Sequence, residues 1–262
     1  MSLDIKTEVA EIRKRYSEDP RQKSFNVLVL GEMGTGKTFL LRTVRLPCHV
    51  DSFDPGGTKC LRDEIAARKI IADTRYESEN RMSPSMYQLW KTEFEKRRQG
   101  GYFDHIGTYC IDSSSTWADA IMNRILQKAK IPGEAPRWAH DYVPQKIEIQ
   151  NRLRIILDLP CDFILTGHLE QYQDLEDQRI RYRYMTTGKG AIIIPTLFDE
   201  VYVMDPKRSS AGVEYRILTK NTGTYTARSR IAKGGMLDIY EEADIKKLLK
   251  KAGLPAEDKP LI

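Results

Sequence analysis

The stretch Gly31-Glu32-Met33-Gly34-Thr35-Gly36-Lys37-Thr38 decides the fold of this 262-residue chain. It matches the pattern GxxxxGK[ST], in which glycines let the backbone turn so that successive N–H groups point at bound phosphates. The apolar run at residues 25–30 predicts a strand buried on both faces, and residues 38–44 predict a helix. A strand, this loop and a helix in that order predict a phosphate-binding loop.

Two side chains of the loop carry the expected chemistry. Lys37 supplies a full positive charge to the phosphates, and Thr38 supplies a hydroxyl ligand for Mg²⁺. A helix that begins near Lys37 adds the positive end of its dipole. The sequence therefore predicts ATP and Mg²⁺ as cofactors. The expected nucleotide contacts are Gly31, Glu32, Met33, Gly34, Thr35, Gly36, Lys37, Thr38 and Phe39.

A second acidic position is needed to hold the metal, and Tyr109-Cys110-Ile111-Asp112 provides it. Asp112 ends an apolar strand, and a carboxylate at the carboxyl edge of a parallel sheet faces the nucleotide crevice. We therefore expect Thr38 and Asp112 to serve the metal. The alternative is that Asp112 caps the following helix, although Thr116 is the better candidate for that cap.

The rest of the chain alternates strands with helices, which predicts an α/β fold with a mostly parallel sheet sandwiched by helices. Predicted strands are residues 25–30, 48–53, 69–73, 108–112 and 162–166, and predicted helices are 38–44, 84–98, 116–130 and 142–157. After Pro195 the short runs 200–204, 214–219 and 225–230 predict an antiparallel extension, and residues 241–251 a docked terminal helix. We expect one domain over residues 1–262, divided into an N-terminal helix (1–20), a core (21–198), the extension (199–235) and a C-terminal helix and tail (236–262).

Composition excludes several classes of protein. The chain is 40% apolar and 30% charged, with a mean hydropathy of −0.51, which is too apolar for a disordered protein. No apolar run approaches the ~20 residues of a membrane helix, and residues 1–16 lack the apolar core of a secretory signal. We expect a cytoplasmic protein without a membrane partner. Without CxxC spacing, we expect neither a disulfide nor zinc at the four cysteines, which are Cys48, Cys60, Cys110 and Cys161.

Positive charge is concentrated late in the chain. Residues 178–237 hold eleven Lys or Arg against four Asp or Glu. Guanidinium groups that alternate with tyrosine rings suit single-stranded nucleic acid, because the cations follow the phosphates while the rings stack on bases. The alternative is a solvated charged loop, favoured by the acids Glu170, Asp174, Glu176 and Asp177 just before it. The candidate nucleic-acid contacts are Arg179, Arg181, Tyr182, Arg183, Tyr184 and Lys189.

With GEMGTGKT, then YCIDSSST, then FILTGH at residues 163–168, the chain resembles the RecA-like branch of P-loop ATPases. More narrowly, it resembles the bacteriophage-borne, AAA-type minimal RecA-core ATPases linked to single-strand annealing and recombination, over about residues 25–231. The resemblance implies ATP hydrolysis and action on single-stranded DNA in phage recombination, annealing or replication. It also implies assembly of identical copies into a ring or filament, and a place in the host cytoplasm. The alternative function is a nucleotide-dependent protein-interaction module with little hydrolysis.

The resemblance also implies roles for individual residues. Asp112 and Ser113 match the strand end that manages the metal, and His168 matches the polar residue that senses the γ-phosphate, unless it is an ordinary surface histidine. A carboxylate that polarises the attacking water is expected on a neighbouring strand. Both Asp54 and Glu77 are candidates; Asp54 is closer to the expected position, but it also fits a plain turn aspartate before Pro55-Gly56.

Late basic residues complete the set that the resemblance implies. In ring-forming or filament-forming relatives, such residues reach a neighbour's nucleotide, which makes Arg228 and Arg230 candidate catalytic residues. The alternative is a pair of surface arginines on an edge strand. Residues 169–190 take the position of the DNA-facing loop of RecA-like proteins.

Overall fold

In the computed structural model, which describes residues 4–19, 24–175, 177–210, 212–232 and 235–262, ten strands form one mixed sheet. The main strands are β1 (Asn26–Gly31), β2 (Cys48–Ser52), β3 (Ile70–Asp73), β4 (Thr108–Asp112), β5 (Asp162–Gln173), β6 (Ile180–Tyr184) and β7 (Glu200–Met204). Five short strands follow: β8 (Lys207–Ser209), β9 (Gly212–Glu214), β10 (Arg216–Leu218), β11 (Arg228–Ser229) and β12 (Tyr240–Glu242). Strands β8 and β9 form a separate hairpin.

The α-helices of the described residues are α1 (Ile5–Glu18), α2 (Arg62–Ala66), α3 (Met86–Gln99), α4 (Ser114–Lys128), α5 (Val143–Leu157), α6 (Gly190–Leu197) and α7 (Ile245–Lys251). Helix α4 begins at Ser114 with Ser113 in the N-cap position, so Thr116 is not the cap that the sequence favoured. The peptide bond between Asp112 and Ser113 is cis.

The centre of the sheet is parallel, as expected. Its strand order is β12-β10-β7-β1-β5-β4-β2-β3, and β1 runs parallel to both β5 and β7. Strand β7 was expected in the antiparallel extension; it belongs to the parallel core instead. Only β10, β11 and β12 of the late segment pair antiparallel in this sheet. Strand β1, which leads into the phosphate loop, therefore lies in the middle of the sheet.

Successive side chains of each strand point to opposite faces of the sheet and form two hydrophobic cores, one on each face. Leu28 and Leu30 of β1 pack on the face covered by α3, α4 and α5, around Trp90 and Trp117. Val27 and Val29 pack on the other face, with residues of α7 and of the segment after the phosphate loop. A strand buried on both faces lacks polar alternation, which is why residues 25–30 read as continuously apolar.

The C-terminal helix docks as the sequence predicted, but it begins at Ile245 instead of residue 241, because Tyr240–Glu242 pair with β10 as β12. Ile245, Leu248 and Leu249 of α7 are buried, and Gly253 has a φ of +71° just after the helix ends. Three cysteines, Cys48, Cys110 and Cys161, are buried, whereas Cys60 is exposed.

Helix α1 contrasts with α7, because none of its side chains is buried. Its apolar residues Ile5, Val9, Ile12 and Tyr16 are all exposed. Within the described ranges, none of the helices combines the length and the apolar character needed to cross a bilayer.

Candidate functional site

The phosphate loop lies where β1 ends, at the carboxyl edge of the parallel sheet. Gly34 and Gly36 have φ values of +76° and +93°, which side chains disfavour. Gly31 leaves no room for a side chain either, since a Cβ there would lie 2.5 Å from Thr35 Oγ1. The glycine spacing of the motif is therefore required by the backbone path of the loop.

Lys37 is folded over this loop. Its Nζ donates hydrogen bonds to the carbonyl oxygens of Gly31 (3.0 Å) and Glu32 (2.8 Å), and the side chain is buried. Burial lowers the pKa of Lys37, while the carboxylates of Asp112 and Asp54 act in the opposite direction. The ammonium group thus lies at the mouth of the loop, where phosphate oxygens can replace neutral carbonyls as its partners.

The helix expected after the loop is shorter than predicted. Residues Phe39–Thr43 form a five-residue 3₁₀ helix instead of an α-helix over residues 38–44. Strand β2 begins at Cys48, only ten residues after Thr38, so the connection has room for little more than one helical turn. A helix this short contributes little dipole, so anion binding depends on the loop N–H groups and Lys37.

Asp112 lies across the cleft from the loop, as the sequence predicted. Thr38 Oγ1 donates a hydrogen bond of 2.7 Å to Asp112 Oδ2, and Thr166 Oγ1 donates one to Asp112 Oδ1. Burial raises the pKa of Asp112, and the two hydroxyl hydrogen bonds oppose that rise. A hydroxyl and a carboxylate side by side are the oxygen ligands that Mg²⁺ prefers, so the donor set fits this metal.

Asp54 faces the same cleft from the end of β2. It lines the phosphate cavity, a cavity of about 350 Å³ beside the phosphate loop, together with Lys37, Thr38, Asp112 and His168. Its Oδ1 accepts hydrogen bonds from Ser113 Oγ (3.0 Å) and from Thr116 Oγ1. The carboxylate is therefore held in place by the start of α4.

Glu77, the other carboxylate candidate, has a different environment. Its two oxygens accept hydrogen bonds from Ser52 Oγ (2.7 Å) and from the backbone N–H of Gly56 (2.9 Å). Glu77 is not part of the phosphate-cavity lining. These contacts brace the turn that carries Asp54.

His168 lies on β5 directly beside Gly31 of β1. The side chain is half-buried and lines the phosphate cavity. Burial and the charge of Lys37 lower the pKa of His168, so the imidazole is neutral at pH 7 and offers one hydrogen-bond donor.

Arg228 and Arg230 lie near the opposite edge of the sheet. Strand β11 pairs with the first two residues of β7, whereas the phosphate loop follows the carboxyl end of β1. Arg228 Nη2 donates to the carbonyl oxygens of Pro195 and Phe198, both at 2.8 Å, at the end of α6. Arg230 Nη2 donates to Thr196 O (3.1 Å). Both arginines thus bind carbonyl oxygens of their own chain around the end of α6 and do not face its phosphate loop.

Residues 169–184, which contain most of the predicted nucleic-acid contacts, form a hairpin that we call the basic hairpin. Residues Leu169–Gln173 of β5 pair antiparallel with β6, so β5 runs without a break from the nucleotide site into the hairpin. Its arginines have acidic partners: Arg183 pairs with Glu170 at 2.8 Å, and Arg181 with Asp177 at 2.7 Å. Glu176 lies outside the described residues.

The two tyrosines of the hairpin differ. Tyr182 stacks on Tyr225 with ring centroids 5.0 Å apart, and both rings are partly exposed. Tyr184 is buried over Gly167, where a Cβ would lie 2.8 Å from the ring. The expectation that Tyr184 stacks on bases is therefore wrong in this conformation. Arg179 and Lys189 are exposed.

Three contributors to the site were missed from the sequence. Thr166 donates a hydrogen bond to Asp112, and Thr116 donates one to Asp54. Their positions in the sequence could have indicated this, because Thr166 lies at the end of a predicted core strand and Thr116 at the start of a predicted helix. Tyr215 lines the phosphate cavity beside Phe39. No local pattern marks Tyr215, because its position depends on how β10 returns to β7. Met33 and Phe39 lie at the cavity as expected, and Glu32 contributes its carbonyl to Lys37.

A family model described as an AAA domain matches residues 23–231. The chain belongs to the AAA domain family. Among solved structures, it is similar to the KaiC-like protein PH0186 from the hyperthermophilic archaeon Pyrococcus horikoshii OT3, with 17% identity. That match covers 74% of this chain and 78% of the other, with a TM-score of 0.41. A comparison with curated protein sequences found no match. Family membership supports nucleotide binding and hydrolysis by a P-loop ATPase.

Proposed function

We propose that this AAA family member is a Mg²⁺-dependent ATP hydrolase. The hydrogen bond between Thr38 and Asp112, with the Lys37 ammonium at the same cavity, carries this proposal. It joins the two oxygen ligands that the metal needs at the point where a triphosphate would meet the loop. When bound, Mg²⁺ would neutralise charge on the phosphates, held by the Thr38 hydroxyl and by Asp112.

Asp54 is the carboxylate that we propose for orienting the attacking water. It lines the phosphate cavity, and its fixed Oδ1 leaves Oδ2 available for a water molecule. Glu77 would act as a positioning residue, because both of its oxygens hold the segment around Asp54. His168 would donate its ring N–H to the γ-phosphate.

The test is a comparison of binding with turnover. Isothermal titration with ATP and Mg²⁺ should give a clear affinity for the unmodified chain and a large loss for Lys37→Ala. Asp54→Asn should retain ATP affinity and lose about 10²- to 10⁴-fold in turnover. Glu77→Gln is the matched control and should lose less. A larger loss in Glu77→Gln would exchange the two roles, and ATP binding that is unaffected by Lys37→Ala would overturn the proposal.

A second proposal is action on single-stranded DNA, in recombination, annealing or replication of a bacteriophage. One observation supports it: β5 connects His168 at the nucleotide site directly to the basic hairpin. We propose that loss of the γ-phosphate releases His168 and displaces β5, and with it the paired strand β6 that carries Arg183 and Tyr182. The arginines would exchange their acidic partners for phosphates on binding.

DNA-stimulated hydrolysis is the expected result. Saturating single-stranded DNA should raise the ATPase rate, and binding should weaken steeply with salt. Electron microscopy with a non-hydrolysable ATP analogue should show rings or filaments of identical copies. A rate indifferent to DNA, together with salt-independent binding, would exclude this role. The alternative of a nucleotide-dependent protein-interaction module predicts tight ATP binding with almost no rate to lose in Asp54→Asn.

A further inference from the structure

Helix α1 carries an apolar stripe that is open to solvent. Ile5, Val9, Ile12 and Tyr16 are 70%, 39%, 56% and 66% exposed, and none of the side chains of α1 is buried. These positions follow one another at intervals of four, three and four residues. That is the spacing of positions d, a, d and a in a heptad repeat, where apolar side chains pack against a partner helix. The stripe therefore has the pattern of a helix-pairing seam.

Two charged side chains that flank the stripe are without partners. Glu8 lies on one side of it, at heptad position g, and Arg13 lies on the other side, at position e. Within residues 4–19 and the other described ranges, neither side chain makes a hydrogen bond or an ion pair. By contrast, Arg15 pairs with Glu11 of the same helix at 3.7 Å. Charges at positions e and g meet across a helix pair, so Glu8 and Arg13 are placed for contacts between chains.

The signs of these charges favour one orientation of the pair. In a parallel pair, position g of one helix lies opposite position e of the following heptad in its partner. Glu8 of each copy then meets Arg13 of the other, which gives two attractive contacts by symmetry. In an antiparallel pair, position e lies opposite position e, so Lys6 would oppose Arg13 twice, and this repulsion offsets the contact between Glu8 and Arg15. Charge complementarity thus selects parallel pairing with a second copy of the chain.

We propose that α1 is an association helix, which pairs in parallel with α1 of a second copy through the apolar stripe and the contacts between Glu8 and Arg13. The pairing is isologous, so it closes on two copies and differs from the head-to-tail contact that builds rings or filaments. It goes beyond the proposed ATP hydrolysis and does not require it, because no residue of α1, all of which the structure describes, lines the phosphate cavity. With 14 residues, α1 spans two heptads, so the pairing is weak and depends on protein concentration.

Sedimentation velocity measures this association directly. Without nucleotide, the unmodified chain should pass reversibly from monomer to dimer as its concentration rises. A variant that lacks α1 (residues 5–18) should stay monomeric over the same range of concentrations. Ile12→Asp places a carboxylate in the seam and should raise the dissociation constant at least about tenfold, because the pair would bury an unpaired charge. Circular dichroism checks that this variant remains folded.

Charge-swap variants test the partner and the orientation. Glu8→Arg and Arg13→Glu should each raise the dissociation constant about tenfold, because two attractive contacts become repulsive. The double variant that combines them should recover the affinity of the unmodified chain, and an equimolar mixture of the two single variants should form a heterodimer. Lys14→Glu makes the same change of charge at position f, away from the seam, and is the matched control without effect.

Several results would overturn this inference. A chain that stays monomeric at every concentration, a dimer that survives the removal of α1, or a double variant that pairs no better than the single variants would each do so. Stronger pairing in Arg13→Glu would also do so, because only an antiparallel pair brings position 13 next to Lys6. Binding of a monomeric chain to vesicles of anionic lipid would assign the stripe to a membrane surface instead.

ATP binding distinguishes this inference from the proposed hydrolysis. Isothermal titration with ATP and Mg²⁺ should give the same affinity in the unmodified chain and in the α1 variants, because α1 lies outside the phosphate cavity. If the unmodified chain does not bind ATP, the proposed hydrolysis fails while the pairing of α1 stands. If ATP binds and the chain does not dimerise, only the pairing of α1 fails.

Discussion

Thr38 Oγ1 and Asp112 Oδ2 lie 2.7 Å apart, joined by a hydrogen bond across the phosphate cleft. The two residues are 74 positions apart in the chain, and they meet because β1 and β4 flank β5 and end at the same edge of the sheet. A metal ion bound here would be coordinated by Thr38 Oγ1 and held by Asp112, in place of the hydrogen bond that now joins them.

Removing the Thr38 hydroxyl should therefore uncouple nucleotide binding from the metal. Thr38→Ala should make ATP affinity nearly independent of Mg²⁺, because one ligand of the pair is lost. Thr38→Ser keeps a hydroxyl and should keep most of the Mg²⁺ dependence. Titrations of ATP with and without Mg²⁺ measure this, and Thr38→Ala with an unchanged Mg²⁺ dependence would contradict the assignment.

Asp112 should reduce the stability of the ligand-free chain. Burial raises the pKa of its carboxyl, so the folded chain holds that proton more tightly than the unfolded chain does. The stability that this proton provides is complete below the unfolded pKa and is lost as pH rises through the folded pKa. At neutral pH, the Asp112→Asn variant avoids the buried charge and should be more stable by about 1 kcal/mol, a rise of about 2–4 °C in Tm.

Thermal unfolding from pH 4 to pH 7.5 checks this prediction. The advantage of Asp112→Asn should be small at acidic pH and grow as the pH rises, while stabilisation by ATP and Mg²⁺ should be lost. An advantage that is independent of pH would show that the buried charge is not its cause.

The sequence predicted the backbone path of the phosphate loop and the position of Asp112, because both are set locally. The glycines at positions 31, 34 and 36 are compatible with the backbone path of a phosphate loop. Asp112 ends a buried strand, and the carboxyl ends of parallel strands all lie at the same edge of the sheet. What failed depended on long-range pairing. A short β run such as residues 200–204 has the same pattern in a parallel or an antiparallel pair, so the direction of β7 was not encoded locally.

The basic hairpin shows the same limit. The alternation of Arg and Tyr at residues 179–184 was visible, but the burial of Tyr184 depends on Gly167 of the neighbouring strand. The partners of Arg181 and Arg183 likewise depend on the hairpin register. Tyr215 reaches the phosphate loop only through the pairing of β10 with β7.

Arg228 tests whether the late arginines are structural or catalytic. Its guanidinium binds the carbonyl oxygens of Pro195 and Phe198, so Arg228→Ala removes the side-chain donor of both, and Pro195 O keeps only the backbone N–H of Phe198 at 3.3 Å. We expect a loss of about 1–3 kcal/mol in the free energy of unfolding and little change in turnover per folded molecule. An arginine that acted on a neighbour's nucleotide would instead cost about 10³-fold in rate. Urea unfolding and ATPase assays at one temperature separate the two.

Arg97 should be costly to remove. It pairs with Asp51 at 3.0 Å and with Asp73, and both carboxylates are buried between β2, β3 and α3. Burial alone would raise the pKa of Asp73, but hydrogen bonds from Arg75 and Arg97 hold it well below its ordinary value. The charged carboxylate therefore stabilises the fold above its unfolded pKa, and this contribution is lost as pH falls through the folded pKa.

Arg97→Ala should reduce the free energy of unfolding by about 3–5 kcal/mol at neutral pH, because the fully buried Asp51 loses its arginine and Asp73 keeps only Arg75. Its neighbour Arg98 pairs with Glu95 at the surface, and Arg98→Ala should cost about 0–1 kcal/mol. Urea unfolding of both variants gives the comparison. Equal losses in the two variants would mean that the buried ion pairs stabilise the fold no more than a surface pair does. If the difference in stability between the two variants does not become smaller at acidic pH, the charge of the carboxylates is not its cause.

Helix α1 should be dispensable for the stability of the single chain. None of its side chains is buried, and its ion pairs, such as Lys14 with Glu18 at 4.0 Å, join residues of the same helix. A variant that lacks α1 (residues 5–18) should therefore unfold within about 0.5 kcal/mol of the full chain, as expected for changes away from the core. Truncation after residue 244, which removes the buried Ile245, Leu248 and Leu249 of α7, is the contrasting control and should cost several times more. A loss above 1 kcal/mol on removing α1 would mean that α1 packs against the domain in solution.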